Sequence, residues 1–329
     1  MGLRNHMDLS IIIVNWNSVH FVRKCLKAIY ENSLGMTVES IVVDNHSPEG
    51  GVDSLQAEFP EVLIVKSEEN LGFAGANNLG FQNSSGQFLL FLNPDTEVLG
   101  AAIRTMLDQT RTISDAGVVG CKLLNTDGSV QISCVQTFPT ILNQLLDIEV
   151  LQRRWPSCRL WNIAPLFTSN EKPVSVEVIS GACMMMKRSV FEAAGMFSEE
   201  YFMYAEDLDL CYKVRQLGLR NYYIGTPNVI HHGGKSTSQQ RVSRWSVVTK
   251  TNSVEKFCNK IHGPIYAGLY RYSMGAAAAL RLGVIWFLCL YKSISAKGSN
   301  LDGSREKWLA ILRWSVGLER TALQTNKVK

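Results

Sequence analysis

The first half of the chain alternates short apolar runs with longer mixed stretches. The apolar runs have the length of buried strands, and the mixed stretches between them predict helices. The predicted strands are residues 9–14, 41–43, 62–65 and 88–92, and the predicted helices cover about 19–32, 52–58, 74–83 and 99–112. Strands and helices that alternate at this spacing build a parallel, doubly wound sheet. The pattern therefore predicts an α/β fold.

The pattern continues less regularly up to about residue 236. Asn125 to Gly128 predict a hairpin turn between apolar segments 118–124 and 129–135, and residues 150–173, with three prolines and no clear period, predict a loop. Gly218 is expected to end a helix as its C-cap. Further strands are predicted at 174–179, 182–186, 222–224 and 228–230, with helices at 189–194 and 206–217.

The last ninety residues have a different character. Residues 274–291 are nearly all apolar and are interrupted by Arg281. A bilayer-spanning helix needs about 20 apolar residues, and a central arginine costs several kcal/mol there. We therefore expect a helix in the membrane interface, with Arg271, Arg281 and Lys292 reaching lipid headgroups. A buried helix packed on the α/β domain is the alternative.

A second amphipathic helix is expected over residues 304–323. Four apolar residues lie on or near one face of it, namely Trp308, Leu312, Val316 and Leu323. Together with the preceding apolar segment, it makes residues 241–329 a helical tail.

Charge is distributed unevenly along the 329 residues. Residues 240–329 carry 15 Lys or Arg against 4 Asp or Glu, a net charge of +11, whereas the rest of the chain carries 18 against 25, a net charge of −7. The basic tail therefore suggests an anionic partner such as a membrane surface, with a solvated basic surface as the alternative.

Cysteine usage indicates a reducing compartment. The eight cysteines are scattered and none forms a Cys-x-x-Cys pair, so neither a zinc knuckle nor a secreted disulfide framework is expected. The first apolar run, residues 9–14, is too short for the core of a signal peptide. We expect a cytoplasmic protein.

The turn after the first predicted strand contains no glycine. Residues 14–18 read Val-Asn-Trp-Asn-Ser, whereas a dinucleotide site needs Gly-x-Gly-x-x-Gly there so that the backbone can approach a pyrophosphate. A Walker P-loop is missing as well. These absences argue against NAD-dependent enzymes and P-loop NTPases.

Two other predicted strands end in carboxylates. Asp95 follows Asn93 and Pro94 directly after the apolar run 88–92, and Asp44 ends the second strand. Open α/β sheets bind ligands beyond the carboxyl ends of their strands, where a carboxylate can hold a divalent cation against phosphate oxygens. Asp44 could accept hydrogen bonds from a ribose hydroxyl or a base, although an Asx-turn would also use it.

Three further segments carry polar or small residues suited to a binding site. Residues 70–78, which include Gly72 and Gly75, would let backbone N–H groups approach a phosphate, although an ordinary turn would use similar residues. Residues 202–210 place three carboxylates at a helix start, more than capping requires, so one could act as a general base. His231 and His232 precede two glycines and could bind a metal or lie at the surface.

Taken together, these segments resemble the inverting family-2 glycosyltransferases with a GT-A fold, in particular the bacterial rhamnosyltransferase-like branch. The resemblance covers roughly residues 8–240. The matching segments, in order along the chain, are residues 11–17, 42–47, 70–73, 92–95, 180–183, 202–210 and 231–236.

The resemblance implies a donor-binding set. Asp44 would contact the nucleoside of a nucleotide sugar, and Asn70 with Gly72 would line the nucleotide pocket. Asn15 and Asn93 would belong to the same set. The donor would be dTDP- or UDP-linked, with dTDP-rhamnose favoured by the branch.

The resemblance also implies a metal site and a catalytic pair. Asp95 would bind Mg²⁺ or Mn²⁺ as the second acid of the family's Asp-x-Asp motif, with His231 as a further ligand in preference to His232. Asp207 would be the general base, and Glu206 would orient the acceptor. Because Asn93 replaces the first acid of that motif, we expect weak metal binding.

The sequence therefore predicts a GT-A-type, mostly parallel, doubly wound domain over residues 8–240 and a basic, membrane-associating tail over 241–329. The expected activity is inverting sugar transfer to a lipid-linked or polysaccharide acceptor on the cytoplasmic face of the inner membrane, with no nucleic-acid partner. A sugar-nucleotide pyrophosphorylase would need a Gly-rich loop with a basic residue after the first strand. A catalytically silent binding protein would not need Asp95, Asp207 and His231 together.

Overall fold

The chain forms two compact units in the computed structural model, which describes residues 7–33, 35–167, 172–233, 244–293 and 301–319. Unit 1 comprises Met1–Phe138, Glu149–Phe202 and Glu206–Gln239, and unit 2 comprises Pro139–Ile148, Met203–Ala205 and Gln240–Lys329. Two short segments from within the predicted 8–240 domain thus group with the tail.

Unit 1 contains all the strands that the described residues form. They are β1 (Leu9–Asn15), β2 (Val38–Asp44), β3 (Leu63–Lys66), β4 (Phe88–Leu92), β5 (Thr96–Val98), β6 (Ala116–Leu124), β7 (Val135–Gln136), β8 (Val174–Val176), β9 (Val178–Ile179), β10 (Cys183–Lys187) and β11 (Arg220–His231). Its helices are α1 (Val19–Asn32), α2 (Ser54–Glu58), α3 (Gly72–Gln82), α4 (Ala102–Thr112), α6 (Glu149–Arg154), α7 (Arg188–Ala193) and α8 (Glu206–Gln216).

The main sheet has the strand order β3-β2-β1-β4-β10-β6-β11-β5, and β8 also pairs with β11. Strands β1 to β4 pair in parallel, and so do β6 and β11. Strand β10 is antiparallel to both β4 and β6, and β5 is antiparallel to β11. The predicted α/β class with a mostly parallel, doubly wound sheet is confirmed.

Burial explains why β1 and β4 form the centre of the sheet. Every residue of both strands is buried, as expected for parallel strands covered on both faces. Helix α3 packs closely on β1 because Gly80 has no side chain: a Cβ at this position would lie 2.5 Å from the Cγ2 of Ile12. The strand ends that carry polar residues are therefore held by a tightly packed core.

The structure departs from the predicted elements in three places. The predicted turn at 125–128 forms, since the Asn125 N–H donates to the Ser129 carbonyl. In the segment that follows it, Val130 makes a single bridge to Leu124, and a 3₁₀ turn, Ile132–Cys134, comes next. The two short strands predicted near 222 and 228 are one strand, β11, with an irregularity between Ile224 and Asn228. The predicted loop 150–173 includes most of α6 and a second 3₁₀ turn.

Unit 2 is helical. It contains α5 (Ile141–Leu145), α9 (Arg244–His262), α10 (Pro264–Ser293) and α11 (Leu301–Ser315). Buried side chains of α9, α10 and α11 form one hydrophobic cluster, on which Ile141 and Leu145 also pack. Because α11 ends at Ser315, Val316 lies beyond its last turn and is exposed; Leu323, predicted on the same face, lies outside the described residues.

Helix α10 has a buried face and an exposed apolar face. Tyr270, Met274 and Ala278 are buried at four-residue spacing. The opposite face carries exposed apolar side chains three, four, seven or eight residues apart, namely Ile265, Leu269, Tyr272, Leu280 and Phe287. Residues Pro264–Cys289 are long and apolar enough to cross a membrane by length and composition.

The two arginines of α10 do not reach outward as the sequence suggested. Arg271 donates to the carbonyls of Trp314 and Ser315 and to the Glu255 carboxylate. Arg281 donates to the Leu145 carbonyl at 2.6 Å. The expectation that both would reach lipid headgroups is therefore wrong, because each guanidinium group is turned into unit 2 and donates to groups of that unit.

Candidate active site

The carboxyl ends of β1 and β2 place Asn15 and Asp44 side by side. The two residues are partners in the parallel register, and the Asn15 amide donates to Asp44 Oδ1 at 2.7 Å. The Ser47 hydroxyl donates to the same oxygen at 2.6 Å. Asp44 Oδ2 is left available to accept a hydrogen bond from a ligand.

Asn15 is fully buried, and its side chain uses its hydrogen-bonding capacity inside the protein. Its amide also donates to the Ser47 hydroxyl, and its oxygen accepts from the backbone and the hydroxyl of Ser18. An amide side chain has two donors and two acceptor sites. Asn15 therefore positions Asp44 and the turn that follows β1, instead of contacting a ligand as the sequence suggested.

Asn45, which the sequence interpretation passed over, holds the loop at residues 70–72. Its amide donates to Asn70 Oδ1 and to the Gly72 carbonyl, and its oxygen accepts from the Leu71 N–H at 2.8 Å. The exposed Asn70 also accepts from the Gly72 N–H through Oδ1. The loop is thereby fixed beside Asp44 before any ligand binds.

Gly72 has a structural role that no other residue could fill easily. Its φ is +72°, and a Cβ there would lie 2.2 Å from the carbonyl oxygen of Phe202. The Phe73 N–H donates to that same oxygen at 2.8 Å. Glycine lets the start of α3 contact the segment that leads to α8.

Asp95 and His231 meet although 135 residues separate them in sequence. Strands β5 and β11 are antiparallel, with Thr96 opposite His231. This register brings His231 Nε2 to 3.4 Å from Asp95 Oδ1 and 3.3 Å from the Asn93 amide nitrogen. Asp95 is only 2% exposed, and among the residues that the structure describes its buried Oδ2 has no hydrogen-bond partner.

Gln131 sets the tautomer of His231, and the sequence carried no signal for it. The Gln131 amide donates to the His231 carbonyl at 2.6 Å, so its oxygen, 2.9 Å from Nδ1, faces the ring as an acceptor. Nδ1 therefore carries the proton, and the lone pair of Nε2 points toward Asp95 and Asn93. A metal-binding histidine is oriented by this kind of hydrogen bond.

This arrangement fits a cation. The lone pair of His231 Nε2 faces Asp95 Oδ1 at 3.4 Å, and no hydrogen atom lies between the two atoms. The other oxygen of Asp95 has no hydrogen-bond partner among the described residues. Carboxylate oxygens and a neutral imidazole suit Mn²⁺ or Mg²⁺. Within the described ranges, no three His, Cys, Asp or Glu side chains converge as a metal site, so a ligand would have to supply the other donors.

His232 lies outside this arrangement. Its Nε2 is 2.7 Å from Glu97 Oε1, and its backbone N–H donates to the Asp95 carbonyl. Its imidazole is thus already bonded to a carboxylate. The geometry agrees with the preference for His231.

Asp207 lies at the start of α8 and is joined to the same edge of the sheet. Its Oδ2 accepts from the Gly181 N–H at 3.0 Å and its Oδ1 from the Leu208 N–H at 2.8 Å. The next residue, Ala182, accepts from the Asn93 N–H through its carbonyl at 3.0 Å. The segment before β10 therefore links Asp207 to the Asn93–Asp95 turn.

The other two carboxylates of α8 are buried and differ in their environment. Asp209 is fully buried, accepts from the Ser198 hydroxyl and pairs with Lys213, so its role is structural. Glu206 is 6% exposed, and its Oε2 has no partner. Burial and the neighbouring Asp207 raise the pKa of Glu206 well above its ordinary value, which favours a neutral carboxylic acid beside Asp207.

The structure thus groups nearly all the residues that the sequence proposed along one edge of unit 1. Asn15, Asp44, Asn70 and Gly72 form one part, and Asn93, Asp95, His231, Asp207 and Glu206 form the other. Asn45 and Gln131 join them as positioning residues. Asn45 stood inside a matched segment, whereas Gln131 lies in the stretch after the 125–128 turn, where no motif pointed to it.

The chain is similar to known proteins. The model of the family described as Glycosyl transferase family 2 matches residues 10–195. An N-acetylglucosaminyl-diphospho-decaprenol L-rhamnosyltransferase from Mycobacterium tuberculosis is 28% identical over 280 residues, covering 81% of this chain and 89% of that protein. A low-salt glycan biosynthesis hexosyltransferase from Haloferax volcanii is 31% identical over 229 residues, covering 68% of this chain and 66% of that protein.

The fold has solved relatives as well. A mannosyltransferase from Pyrobaculum calidifontis, in complex with GDP-Man and Mn²⁺, shares 14% identity and a TM-score of 0.61 over 96% of this chain and 88% of that chain. This likeness is one of fold, the GT-A fold. With the match to more than half of the chain, the protein belongs to glycosyl transferase family 2, in its rhamnosyltransferase-like branch, and it is a glycosyltransferase.

Proposed function

We propose that this glycosyltransferase moves a sugar from a nucleotide donor to a lipid-linked glycan acceptor, with inversion at the anomeric carbon. The observation that carries the proposal is the presence of Asp207 and the Asp95–His231 pair on one edge of the sheet. A single base opposite a stabilised leaving group suffices for inversion, without a covalent intermediate. dTDP-rhamnose is the favoured donor because the mycobacterial relative is named a rhamnosyltransferase.

The donor nucleotide would bind at the ends of β1 and β2. Asp44 Oδ2 would accept hydrogen bonds from the ribose or the base, while Asn15 and Ser47 hold Oδ1 from inside the protein. The exposed Asn70 and the backbone around Gly72 would line the same pocket. In this proposal Asn15 belongs to the donor site through Asp44 and makes no contact of its own.

Asp95 and His231 would hold Mg²⁺ or Mn²⁺. Support comes from the unpartnered buried oxygen of Asp95 and the lone pair that Gln131 directs from His231. When bound, the cation would offset negative charge on the leaving diphosphate. The Asn93 amide nitrogen, 3.3 Å from Nε2, would give up this contact when Nε2 binds the cation. The solved mannosyltransferase contains Mn²⁺ by its description.

Asp207 would take the proton of the acceptor hydroxyl. Two backbone N–H groups hold its carboxylate, one on each oxygen, and so fix its orientation. Burial and the neighbouring Asp207 raise the pKa of Glu206. A neutral Glu206 would add no second negative charge beside Asp207. From its position at the start of α8, Glu206 would orient the acceptor.

The helical unit would associate with the cytoplasmic face of a membrane. The exposed apolar face of α10, with Ile265, Leu269 and Leu280 all more than half exposed, is of the kind that membranes or partners cover. The net charge of +11 over residues 240–329 favours an anionic surface. The mycobacterial relative is named for an acceptor on a diphospho-decaprenol lipid.

A donor screen tests the proposed function. Release of nucleoside diphosphate is followed for dTDP-, UDP- and GDP-sugars, with a polyprenyl-diphosphate-linked sugar as acceptor. Acceptor-dependent release from at least one donor, with an inverted linkage in the product, is expected. No acceptor-dependent release from any donor would contradict the proposal.

A further inference from the structure

Unit 2 contains a cavity of its own. It has a volume of about 290 Å³, close to the lower end of the range for small-molecule sites, about 300 Å³. Its walls come from α9, α10 and α11, together with residues near α5 and Tyr204. None of its residues belongs to the nucleotide and metal site described above.

Cations outnumber anions around this cavity. Lys250 on α9 and Lys307 on α11 both line it, and Asp147 is the one carboxylate in its wall. Arg281 contributes a third positive charge, since its charge acts on Lys307 along with those of Lys250 and Asp147. Loss of hydration, and then repulsion by Lys250, lower the pKa of Lys307. The charges around the cavity therefore sum to a net positive charge.

Two of these cations lie close to the Trp308 ring. The Arg281 guanidinium lies 4.1 Å from the ring centre and the Lys307 ammonium lies 4.9 Å from it. Arg281 uses Nη2 to bind the Leu145 carbonyl, whereas its Nη1 is buried without a hydrogen-bond partner. An anion in the cavity would contact the Lys307 side of this group and would reduce the repulsion between the cations.

The cavity also has an apolar lining. Val247, Val254, Met274 and Ile311 belong to it and are called its apolar floor, and Tyr270 adds an aromatic side chain. Met274 and Tyr270 lie on the buried face of α10, and the opposite face of that helix is the exposed apolar one. A ligand with a charged head and a hydrocarbon part would satisfy both kinds of wall.

We propose that this cavity binds the diphosphate and the first carbons of the lipid carrier to which the acceptor sugar is attached. The proposal rests on the proposed function, because it names the part of the acceptor that unit 2 recognises. Lys250 and Lys307 bind the phosphate oxygens, and the apolar floor receives the start of the prenyl chain.

Binding of a short lipid diphosphate to the full chain tests this. Farnesyl diphosphate, farnesol and inorganic pyrophosphate are titrated by calorimetry into wild type and into the Lys250→Gln/Lys307→Gln variant. We expect farnesyl diphosphate to bind more tightly than either of the other two compounds. Its Kd should rise about tenfold or more in the variant, the loss of one to two charge-assisted contacts.

Two matched variants control for net charge and for folding. Lys260→Gln/Arg305→Gln removes two exposed cations from the same helices, α9 and α11, outside the cavity, and should leave the Kd unchanged. Lys250→Arg/Lys307→Arg keeps both charges and should retain most of the affinity. Unchanged far-UV circular dichroism shows that each variant is folded.

Three results would overturn the proposal. One is equal affinity for farnesyl diphosphate and farnesol, which would indicate an apolar cavity alone. Another is equal affinity for inorganic pyrophosphate, which would indicate a free-anion site and no lipid. The third is an equal loss in the cavity variant and its charge-matched control. The binding assay does not depend on turnover. If the wild type transfers sugar and the cavity variant binds farnesyl diphosphate as tightly as the wild type does, only this inference is refuted and the proposed function stands.

Discussion

His231 Nε2 lies 3.4 Å from Asp95 Oδ1 because strands β5 and β11 pair antiparallel, with Thr96 opposite His231. The pairing turns two separate strand ends into one site. Gln131 then fixes the imidazole so that Nε2, and not Nδ1, faces the carboxylate. The proposed metal site is thus a product of strand register and of one distant amide.

Asp95→Asn is expected to abolish detectable Mn²⁺ binding in the presence of nucleoside diphosphate, because it removes the charge of the buried carboxylate. Gln131→Leu should weaken the binding of Mn²⁺ by about 10- to 100-fold, the usual effect of losing an orienting partner. Calorimetry or electron paramagnetic resonance of Mn²⁺ measures both.

His232→Gln is the matched control for the metal site. Its imidazole is bonded to Glu97, so Mn²⁺ affinity should stay within about twofold of wild type. If His232→Gln weakens Mn²⁺ binding as much as His231→Gln does, the assignment of the ligand is wrong.

Asp207→Asn is expected to lower kcat by about 10²- to 10⁴-fold, the contribution of a general base. Affinity for the donor nucleotide should stay near that of wild type, because Asp44 and the 70–72 loop lie in other elements. Fixed-time transfer assays measure kcat, and nucleotide titrations measure the affinity for the donor nucleotide. Asp127→Asn, in the exposed hairpin turn, is the control; normal turnover by Asp207→Asn would refute the base assignment.

Glu206→Gln should change how stability depends on pH. Burial raises the pKa of Glu206 above its ordinary value of 4.5, so the stability tied to its proton is full below that value and is lost as pH rises through the raised pKa. The variant cannot ionise at this position. Its melting temperature relative to wild type should therefore increase as the pH is raised from about 5 to about 9.

The control for Glu206 is Glu68→Gln, an exposed carboxylate of the same unit. It should show a flat difference from wild type across the same pH range. A flat difference for Glu206→Gln as well would mean that Glu206 ionises without cost in the folded protein.

Gly72→Ala is expected to destabilise unit 1 by more than Gly100→Ala does. Both glycines have positive φ, +72° and +53°, but only a Cβ at Gly72 meets backbone, 2.2 Å from the Phe202 carbonyl oxygen. A left-handed alanine costs roughly 1–2 kcal/mol by itself. Urea unfolding of the two variants measures the excess, and equal free energies of unfolding would show that the loop relaxes away from Phe202.

Leu280→Glu/Phe287→Glu should release the protein from anionic liposomes. Both side chains lie on the exposed apolar face of α10, and a carboxylate there opposes burial in the interface and is repelled by anionic lipid. Cosedimentation measures the bound fraction. Leu142→Glu, an exposed leucine on α5, should leave binding unchanged, and equal liposome binding by all three proteins would contradict the membrane role of this face.

Much of unit 1 could be predicted because its signals are local. The run 88–92 is buried throughout and forms β4 with the predicted bounds, since a continuous apolar strand needs no partner to be recognised. Asp44 and Asp95 could be proposed in the same way, as polar residues that directly follow such runs. Strand β5 escaped prediction because three residues, Thr96–Val98, are too few to show a period.

The roles of the polar side chains depended on contacts that cross the chain. The family resemblance placed Asn15 in the donor-binding set, but four internal hydrogen bonds occupy its side chain. Arg271 and Arg281 looked like headgroup anchors until carbonyls and a carboxylate of their own unit were found to bind them. A sequence pattern shows which residues are polar, whereas hydrogen-bond partners show what each polar group is still free to do.

The sequence by itself determined the α/β order, the buried central strands and the polar residues at their carboxyl ends, because burial period and chain breaks are properties of neighbouring residues. Only the tertiary structure decided that His231 faces Asp95, that Gln131 selects its tautomer, and that Asp207 reaches the same edge through Gly181. The physical reason is that strand register and side-chain hydrogen bonds join positions far apart in the chain, and no local pattern records their distance.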